Sequence, residues 1–230
     1  HGVNLSVATS GSLVKTGYTF GGWNTAADGS GTSYAASATY GVDAAVTLYA
    51  QWTADSLTVS YNSQSGSEVS AGSTTSGGVV ASAPVAPTRT GYVFTGWFAA
   101  STGGSAIMFP YTHGRTADFT LFAQWSINTY VVSFDGNGLT GGSVPVDQTK
   151  THGIDVSVSS NSGSLVKTGY TFGGWNTAAD GSGTSYAASA TYSADAAVTL
   201  YAQWTGNSLT VTYDSQSGSA VSAGSSVSGG

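Results

Sequence analysis

Short runs of alternating apolar and small polar residues recur along the chain. In Leu57–Tyr61, Tyr130–Phe134 and Leu209–Tyr213, an apolar side chain occupies every second position. This period of two is typical of a β-strand with one buried face. Runs rich in Asn, Asp and Gly, such as Asp135–Gly138, follow these strands and favour turns. The pattern predicts a mainly β chain, with Tyr34–Tyr40 as its one candidate for a short helical turn.

The same strand and turn pattern recurs as a tandem repeat. The motif GYTFGGW or GYVFTGW begins at Gly17, Gly91 and Gly169, which are 74 and 78 residues apart. A second motif, TLYAQW or TLFAQW, ends at Trp52, Trp125 and Trp204. The repeat is therefore about 76 residues long. Residues 11–40 and 163–192 are identical, whereas the middle copy differs more, which indicates two alternating repeat types.

The alternating strand opens each repeat and the AQW strand closes it. This interpretation gives two complete repeats, Ser56–Trp125 and Asn128–Trp204. His1–Trp52 is then a partial repeat that lacks its opening strand. Ser208–Gly230 is a partial repeat that contains only the opening portion.

Each GYxFxGW segment predicts a strand in which Tyr and Phe share one face. Gly21 and Gly22 permit a bulge before Trp23, because glycine tolerates positive φ. We expect the aromatic residues of the two motifs to form the core, although sugar stacking is an alternative role. These structural signature residues are Tyr18, Phe20, Trp23, Trp52, Tyr92, Phe94, Trp97, Trp125, Tyr170, Phe172, Trp175 and Trp204.

Composition excludes several classes of function. Only 7% of residues are charged, against about 25% in a typical domain, and the net charge is −6. Five scattered Lys and Arg residues cannot neutralise a phosphate backbone, so we expect no nucleic-acid partner. No run of about 18 apolar residues occurs, so we expect no membrane insertion in this segment. The chain has no Cys, which excludes disulfides and thiolate metal sites.

Candidate chemistry is sparse. Asp28, Asp135 and Asp180 lie in Gly-rich turns that faintly resemble calcium loops, but the spaced ligands of an EF-hand are absent. A plain turn is the preferred interpretation, with calcium as the alternative. The three His residues, His1, His113 and His152, show no metal-ligand or catalytic-triad spacing. We predict no catalytic residue and no cofactor.

The ordered motifs resemble the Listeria–Bacteroides repeat family, also called the internalin B-repeat. The resemblance rests on GYxFxGW, on TLYAQW, on the lead-in Pro87–Tyr92 and on the opening Val132–Gly138. It covers essentially the whole chain. It implies β-grasp-like modules, an extracellular or cell-surface location in bacteria, and adhesion or spacer roles without catalytic residues.

Three functional hypotheses follow. The leading one is a non-enzymatic structural segment of a stalk, fibre or matrix protein whose partners are neighbouring repeats or other copies of the chain. Ser208–Gly230 of one copy could supply the strand missing from His1–Trp52 of the next, head to tail. The second hypothesis is an adhesin for a cell-surface protein or glycan, with Phe98, Phe109 and Tyr111 as its ligand surface. The third is a spacer or carbohydrate-binding module on a surface enzyme.

Overall fold

The computed structural model describes residues 4–228, so the ends of the predicted partial repeats at His1–Val3 and Gly229–Gly230 lie outside the described residues. The described residues form 20 strands and no helix. The chain divides into two compact units, His1–Ser126 and Ile127–Gly230. Each unit contains one predicted complete repeat and one predicted partial repeat. The repeat boundaries themselves stay a prediction.

The first part of unit 1 builds a small sheet in the order β3-β2-β5, and β1 pairs with β4. These strands are β1 (Leu5–Ser6), β2 (Tyr18–Asn24), β3 (Ser33–Tyr34), β4 (Thr39–Tyr40) and β5 (Tyr49–Ala54). Phe20 pairs with Trp52 and Gly22 pairs with Gln51, so one residue is extra between them. The predicted bulge at the Gly pair is confirmed.

The second part of unit 1, the predicted complete repeat, has a four-stranded sheet in the order β7-β6-β11-β9, and β10 pairs with β8. Its strands are β6 (Ser56–Asn62), β7 (Gly72–Thr75), β8 (Val79–Val80), β9 (Tyr92–Phe98), β10 (Tyr111–Thr112) and β11 (Phe119–Ile127). The opening strand β6 lies parallel to the closing strand β11, with Val59 opposite Phe119.

Unit 2 repeats this plan with a five-stranded sheet in the order β13-β12-β18-β15-β16 and separate pairs β14-β17 and β19-β20. Its strands are β12 (Thr129–Asp135), β13 (Gln148–Thr151), β14 (Val156–Ser157), β15 (Tyr170–Asn176), β16 (Ser185–Tyr186), β17 (Thr191–Tyr192), β18 (Val198–Gly206), β19 (Ser208–Val211) and β20 (Gly224–Val227). The opening strand β12 again lies parallel to the closing strand β18, with Val132 opposite Val198.

The mainly β fold class is confirmed. The β-grasp-like description stays a prediction, because no helix crosses these sheets within residues 4–228. The expected helical turn at Tyr34–Tyr40 is wrong. Ser37 has a φ of +64°, outside the helical range, and the segment is a turn that joins β3 to β4.

Each complete repeat has its own core, on one face of its sheet. The core of unit 2 contains Val132 and Phe134 of the opening strand together with Leu200 of the closing strand. The core of unit 1 contains the equivalent Val59 and Leu121, which are fully buried. Opening and closing strands therefore bury each other, so a repeat closes its core only when both are present.

Candidate functional site

The signature aromatics form the same group of three rings in every repeat. Phe172 packs edge-on against Trp175 and Trp204, with ring centroids 5.2 and 5.8 Å apart. The indole Nε1 of Trp175 donates to Ser159 O at 2.8 Å, and that of Trp204 donates to Gly136 O at 3.1 Å. These two indoles have satisfied polar atoms, as core residues do, whereas the buried Nε1 of Trp97 in the middle repeat has no hydrogen-bond partner among residues 4–228.

A cation covers the Tyr that begins each GYxF strand. Lys15 Nζ lies 4.0 Å from the centroid of the Tyr18 ring, and Lys167 Nζ lies 4.8 Å from that of Tyr170. In the middle repeat the Arg89 guanidinium lies 3.8 Å from the Tyr92 ring. The cation–π contact thus persists where the middle repeat replaces Lys by Arg in its different lead-in.

A buried Asn organises the polar loop after the GYTFGGW strand. Asn176 is 1% exposed, and its Nδ2 donates to Gly181 O, Gly183 O and Ser185 Oγ at 2.9–3.2 Å. Its Oδ1 accepts from Ala178 N at 2.8 Å. Asn24 makes equivalent bonds in the first partial repeat. The middle repeat has Phe98 at this position, so its loop is held differently.

The three candidate calcium aspartates close turns. Asp28 Oδ1 accepts from Ser30 Oγ at 2.7 Å and from Ser30 N at 3.0 Å, and these bonds hold the pKa of Asp28 below its usual 3.8. Asp180 repeats this with Ser182. Asp135 Oδ1 accepts from Asn137 N at 2.7 Å. Among residues 4–228, no three acidic or His side chains gather as a metal site would require.

The predicted ligand surface of the middle repeat is only partly accessible. Phe98 is 8% exposed, and Phe109 and Tyr111 pack partly buried against the core. Met108, between them in this loop, is 81% exposed. All three proposed contact rings are thus buried or partly buried, and a ligand role for them stays a prediction.

Sequence reasoning missed an ion pair in unit 2 between a buried Lys and a partly exposed Asp. Lys150 on β13 is fully buried, and its Nζ donates to Asp195 Oδ1 at 2.6 Å and to Thr151 O at 3.0 Å. His152 Nδ1 lies 3.0 Å from Asp195 Oδ2. The hydrogen bond from Lys150, followed by that from Gly153 N, lowers the pKa of Asp195 below its usual 3.8. Such a buried cation requires its partner, because desolvation disfavours an unpaired charge.

The middle repeat has a different polar pair at this place. Thr74 lies opposite Leu57 in its hairpin, as Lys150 lies opposite Tyr130. Thr74 Oγ1 is 3.1 Å from Nε2 of His113, which is 3% exposed. Burial and then the charge of Arg115 lower the pKa of His113 below its ordinary 6.5. The segment Gln148–Thr151 contains no apolar residue, so alternation in the sequence does not show that Lys150 faces inward.

A tight joint connects consecutive repeats within unit 1. One residue, Asp55, separates β5 from β6. Its N–H donates to Gly17 O at 3.0 Å, its C=O accepts from Ser76 N at 2.9 Å, and its Oδ1 accepts from Thr19 Oγ1 at 2.7 Å. Gly77 N donates to Arg115 O at 2.8 Å beside it. The linking residue is therefore bonded to both repeats.

The joint in unit 2 is built in the same way. Asn207 separates β18 from β19, and its N–H donates to Gly169 O at 2.8 Å. Ser228 N donates to Asn207 O at 2.9 Å, and Thr171 Oγ1 donates to Asn207 Oδ1 at 2.7 Å. The bond from Thr to the linking side chain persists with either Asp or Asn, since both present an oxygen acceptor.

Three tandem matches decide the family. The sequence profile of the Listeria-Bacteroides repeat domain matches residues 3–51, 58–124 and 130–203, which together are well over half of the chain. The chain belongs to the Listeria-Bacteroides repeat family.

Relatives that contain similar sequence are bacterial. A Gly-rich membrane protein of Evansella cellulosilytica is 44% identical over 141 residues, which are 58% of this chain and 16% of that protein. A second membrane protein of that organism is 37% identical over 161 residues, 70% of this chain and 24% of that protein. Internalin H of Listeria monocytogenes is 38% identical over 125 residues, 54% of this chain and 21% of that protein.

The matched region thus spans a quarter or less of each of these relatives. The Listeria-Bacteroides repeats of this chain are of the kind that occurs in internalin-like and membrane proteins. Among residues 4–228, no helix is long and apolar enough to cross a membrane.

Proposed function

We propose that this chain is a non-enzymatic structural segment, a length-building part of an extracellular bacterial stalk, fibre or matrix protein. Two features of the repeats support the proposal. Neighbouring repeats within a unit are joined by one residue that is bonded on both sides. Each complete repeat also pairs its first and last strands side by side and in parallel.

The parallel pair is the observation that supports the proposal most strongly. Tension in a stalk enters a repeat at the start of its opening strand and leaves at the end of its closing strand. Because β12 and β18 are parallel over Val132–Asp135 and Val198–Tyr201, this tension slides the strands past each other. The ladder bonds then resist together, whereas strands pulled apart sideways lose their bonds one at a time. The pair β6–β11 has the same geometry over four residue pairs.

Stretching single molecules tests this function. With handles at the two chain ends, the two complete repeats should give two separate unfolding peaks. Each peak should release roughly 250 Å, because about 76 residues extend by ~3.3–3.6 Å each. The Cys-free sequence allows a matched control in which handles are attached at Val131→Cys and Thr149→Cys, directly opposite on the antiparallel pair β12–β13.

The control geometry pulls two directly opposite residues sideways away from each other and should yield at several-fold lower force than the end-to-end geometry. Equal forces in the two geometries, or end-to-end stretching without peaks, would show that the chain does not bear tension as a stalk must.

The adhesin alternative has one favourable observation, the 81% exposure of Met108 in the divergent loop of the middle repeat. Binding to bacterial and host cells or to a glycan array, lost in Met108→Ser with folding intact, would support an adhesin instead. A spacer on a surface enzyme remains compatible with the tension-bearing geometry.

A head-to-tail filament of copies has less support than a continuous stalk. The first partial repeat has an apolar groove of about 510 Å³, lined in part by Val7, Trp23 and Leu48. A second copy could place β19–β20 there. In that hairpin Ser226 occupies the position that Lys150 has in β12–β13. The groove side has Asp43 at the position of Asp195. A second copy would therefore not form the ion pair that Lys150 forms with Asp195 in the complete repeat. Sedimentation across a concentration series distinguishes the two arrangements.

A further inference from the structure

Three opening hairpins in this chain could each fold onto more than one closing half. The hairpins β6–β7, β12–β13 and β19–β20 each have an antiparallel ladder of four residue pairs. The closing halves share GYxFxGW and AQW, and two of them are identical over residues 11–40 and 163–192. Neighbouring repeats of such similarity are prone to misassembly during folding. Apolar pairing alone does not distinguish one closing half from another.

The buried polar pair differs between the two repeat types. In unit 2, Lys150 of the hairpin meets Asp195, which precedes the closing strand, at 2.6 Å. In the middle repeat, Thr74 of the hairpin meets His113, which also precedes the closing strand, at 3.1 Å. Each pair thus links an opening hairpin to its own closing half through groups found only in that type.

Exchange of the hairpins would separate these groups. If β12–β13 folded onto the closing half of the middle repeat, Lys150 would meet His113 with Arg115 beside it. The acid of that half, Asp118, accepts from the backbone N–H of Thr58 at 2.7 Å in the correct pairing, and after exchange the backbone N–H of Val131 would take the place of that donor. Lys150 would then be buried without a carboxylate, which strongly disfavours the exchanged pairing.

We propose that Lys150 and Asp195 select which closing half an opening hairpin folds onto, and so prevent exchange between the two repeat types. The hydrophobic residues supply stability to either pairing. The ion pair disfavours pairing with a closing half of the other repeat type, as a single buried polar group does when it fixes register in other folds. This selection goes beyond the structural role proposed above and does not depend on it.

Disulfide trapping during refolding tests the proposal. Ser133 lies opposite Thr199 in the correct pairing, and Ser60 lies opposite Thr120 in the middle repeat. The test protein therefore carries Cys at positions 133, 199 and 120. A 133–199 disulfide reports the correct pairing, and a 133–120 disulfide reports the exchanged pairing. The unfolded, reduced chain is diluted into a glutathione redox buffer, and the 133–199 and 133–120 bonds are quantified by mass spectrometry after proteolysis.

Without further change, the 133–199 bond should dominate. Lys150→Thr should raise the ratio of 133–120 to 133–199 at least tenfold, because no buried charge then opposes the wrong pairing. Lys15→Thr removes an exposed Lys elsewhere and should leave the ratio unchanged. If Lys150→Thr does not refold, Lys150→Met removes the same charge and should raise the ratio in the same way.

Asp195→Asn removes the other partner of the ion pair. It leaves Lys150 without a carboxylate in either pairing, so the total yield of the two bonds should fall and the ratio of 133–120 to 133–199 should rise toward that of Lys150→Thr. A ratio that stays at its starting value in either variant would overturn the proposal.

Discussion

Gly17 tests how closely consecutive repeats approach at the joint. It has a φ of +77°, and its C=O accepts from Asp55 N. A Cβ added at Gly17 would overlap Ser76 Oγ and would lie 2.8 Å from Thr116 Cβ, both in the next repeat. The Gly17→Ala variant therefore changes the joint without touching either core.

The magnitude has two parts. A non-Gly residue at positive φ costs about 1–2 kcal/mol. An extra methyl group in a packed site costs about 1–3 kcal/mol more. Gly11→Ala is the matched control, since Gly11 has a φ of +52° but nothing lies within 4 Å of its added Cβ. We expect a loss of about 1–2 kcal/mol in Gly11→Ala and about 2–5 kcal/mol in Gly17→Ala.

Urea unfolding followed by Trp fluorescence measures the free energies of unfolding, and hydrogen exchange resolved by mass spectrometry locates the change. In Gly17→Ala, exchange should rise at the amides of Asp55, Ser76 and Gly77. Ser76 Oγ has no hydrogen-bond partner among residues 4–228, so Ser76→Ala alone should be nearly neutral. Combined with Gly17→Ala, it should recover part of the loss, with a coupling of about 0.5–3 kcal/mol.

One result would contradict a close contact between the repeats at Gly17. If Gly17→Ala loses no more stability than Gly11→Ala and shows no coupling with Ser76→Ala, the repeats are not in close contact at this position.

Three further predictions concern single repeats. Leu200→Ala should lower the free energy of unfolding, measured by urea titration, by about 2–5 kcal/mol, because Leu200 is fully buried. Leu48 has the same position in the first partial repeat but is already partly exposed, so Leu48→Ala should lower the free energy of unfolding clearly less. Asn176→Ala should cost about 2–4 kcal/mol and raise hydrogen exchange in the following loop, because several hydrogen bonds are lost at once; exchange confined to unit 1 would contradict this. The pKa of His113 is lower in the folded chain than in the unfolded chain, so the unfolded chain binds a proton first as pH falls. His113 should therefore contribute its full stabilisation of unit 1 above pH 6.5, and this stabilisation should be lost as pH falls below that value. Unfolding measured from pH 8 to 5 should show this slope, and His113→Gln should flatten it; a slope that persists in the variant would exclude His113 as its source.

The alternating pattern predicted the strands well because one face of each sheet is buried. Val132 and Phe134 alternate with more exposed residues on β12, so their burial follows from the period of two. The helical turn at Tyr34–Tyr40 was wrong because the run of Ala and Ser has no strong pattern, and contact of the Tyr34 ring with the Tyr40 ring fixes a turn there.

The joints and polar pairs could not be predicted from one repeat at a time. The bonds of Asp55 join residues up to 38 positions apart, and Gly17 shows a close approach only once the next repeat is in place. Lys150 lies on a strand without apolar residues, and its partner Asp195 is 45 residues away. Such pairings depend on the order of strands in the sheet, which the local pattern does not specify.

The orientation of consecutive repeats across the joint is the most direct test of the account. Spin labels on Cys at exposed Thr39 of the first partial repeat and Thr95 of the middle repeat report this orientation by electron–electron double resonance. Labels at Ser60 and Thr95, which lie in one sheet, give the width of the distance distribution expected for a rigid pair of sites. The account predicts a distance distribution between Thr39 and Thr95 as narrow as that of the control. A distribution much broader than the control would show that the joint is flexible and would contradict a stalk of fixed joints.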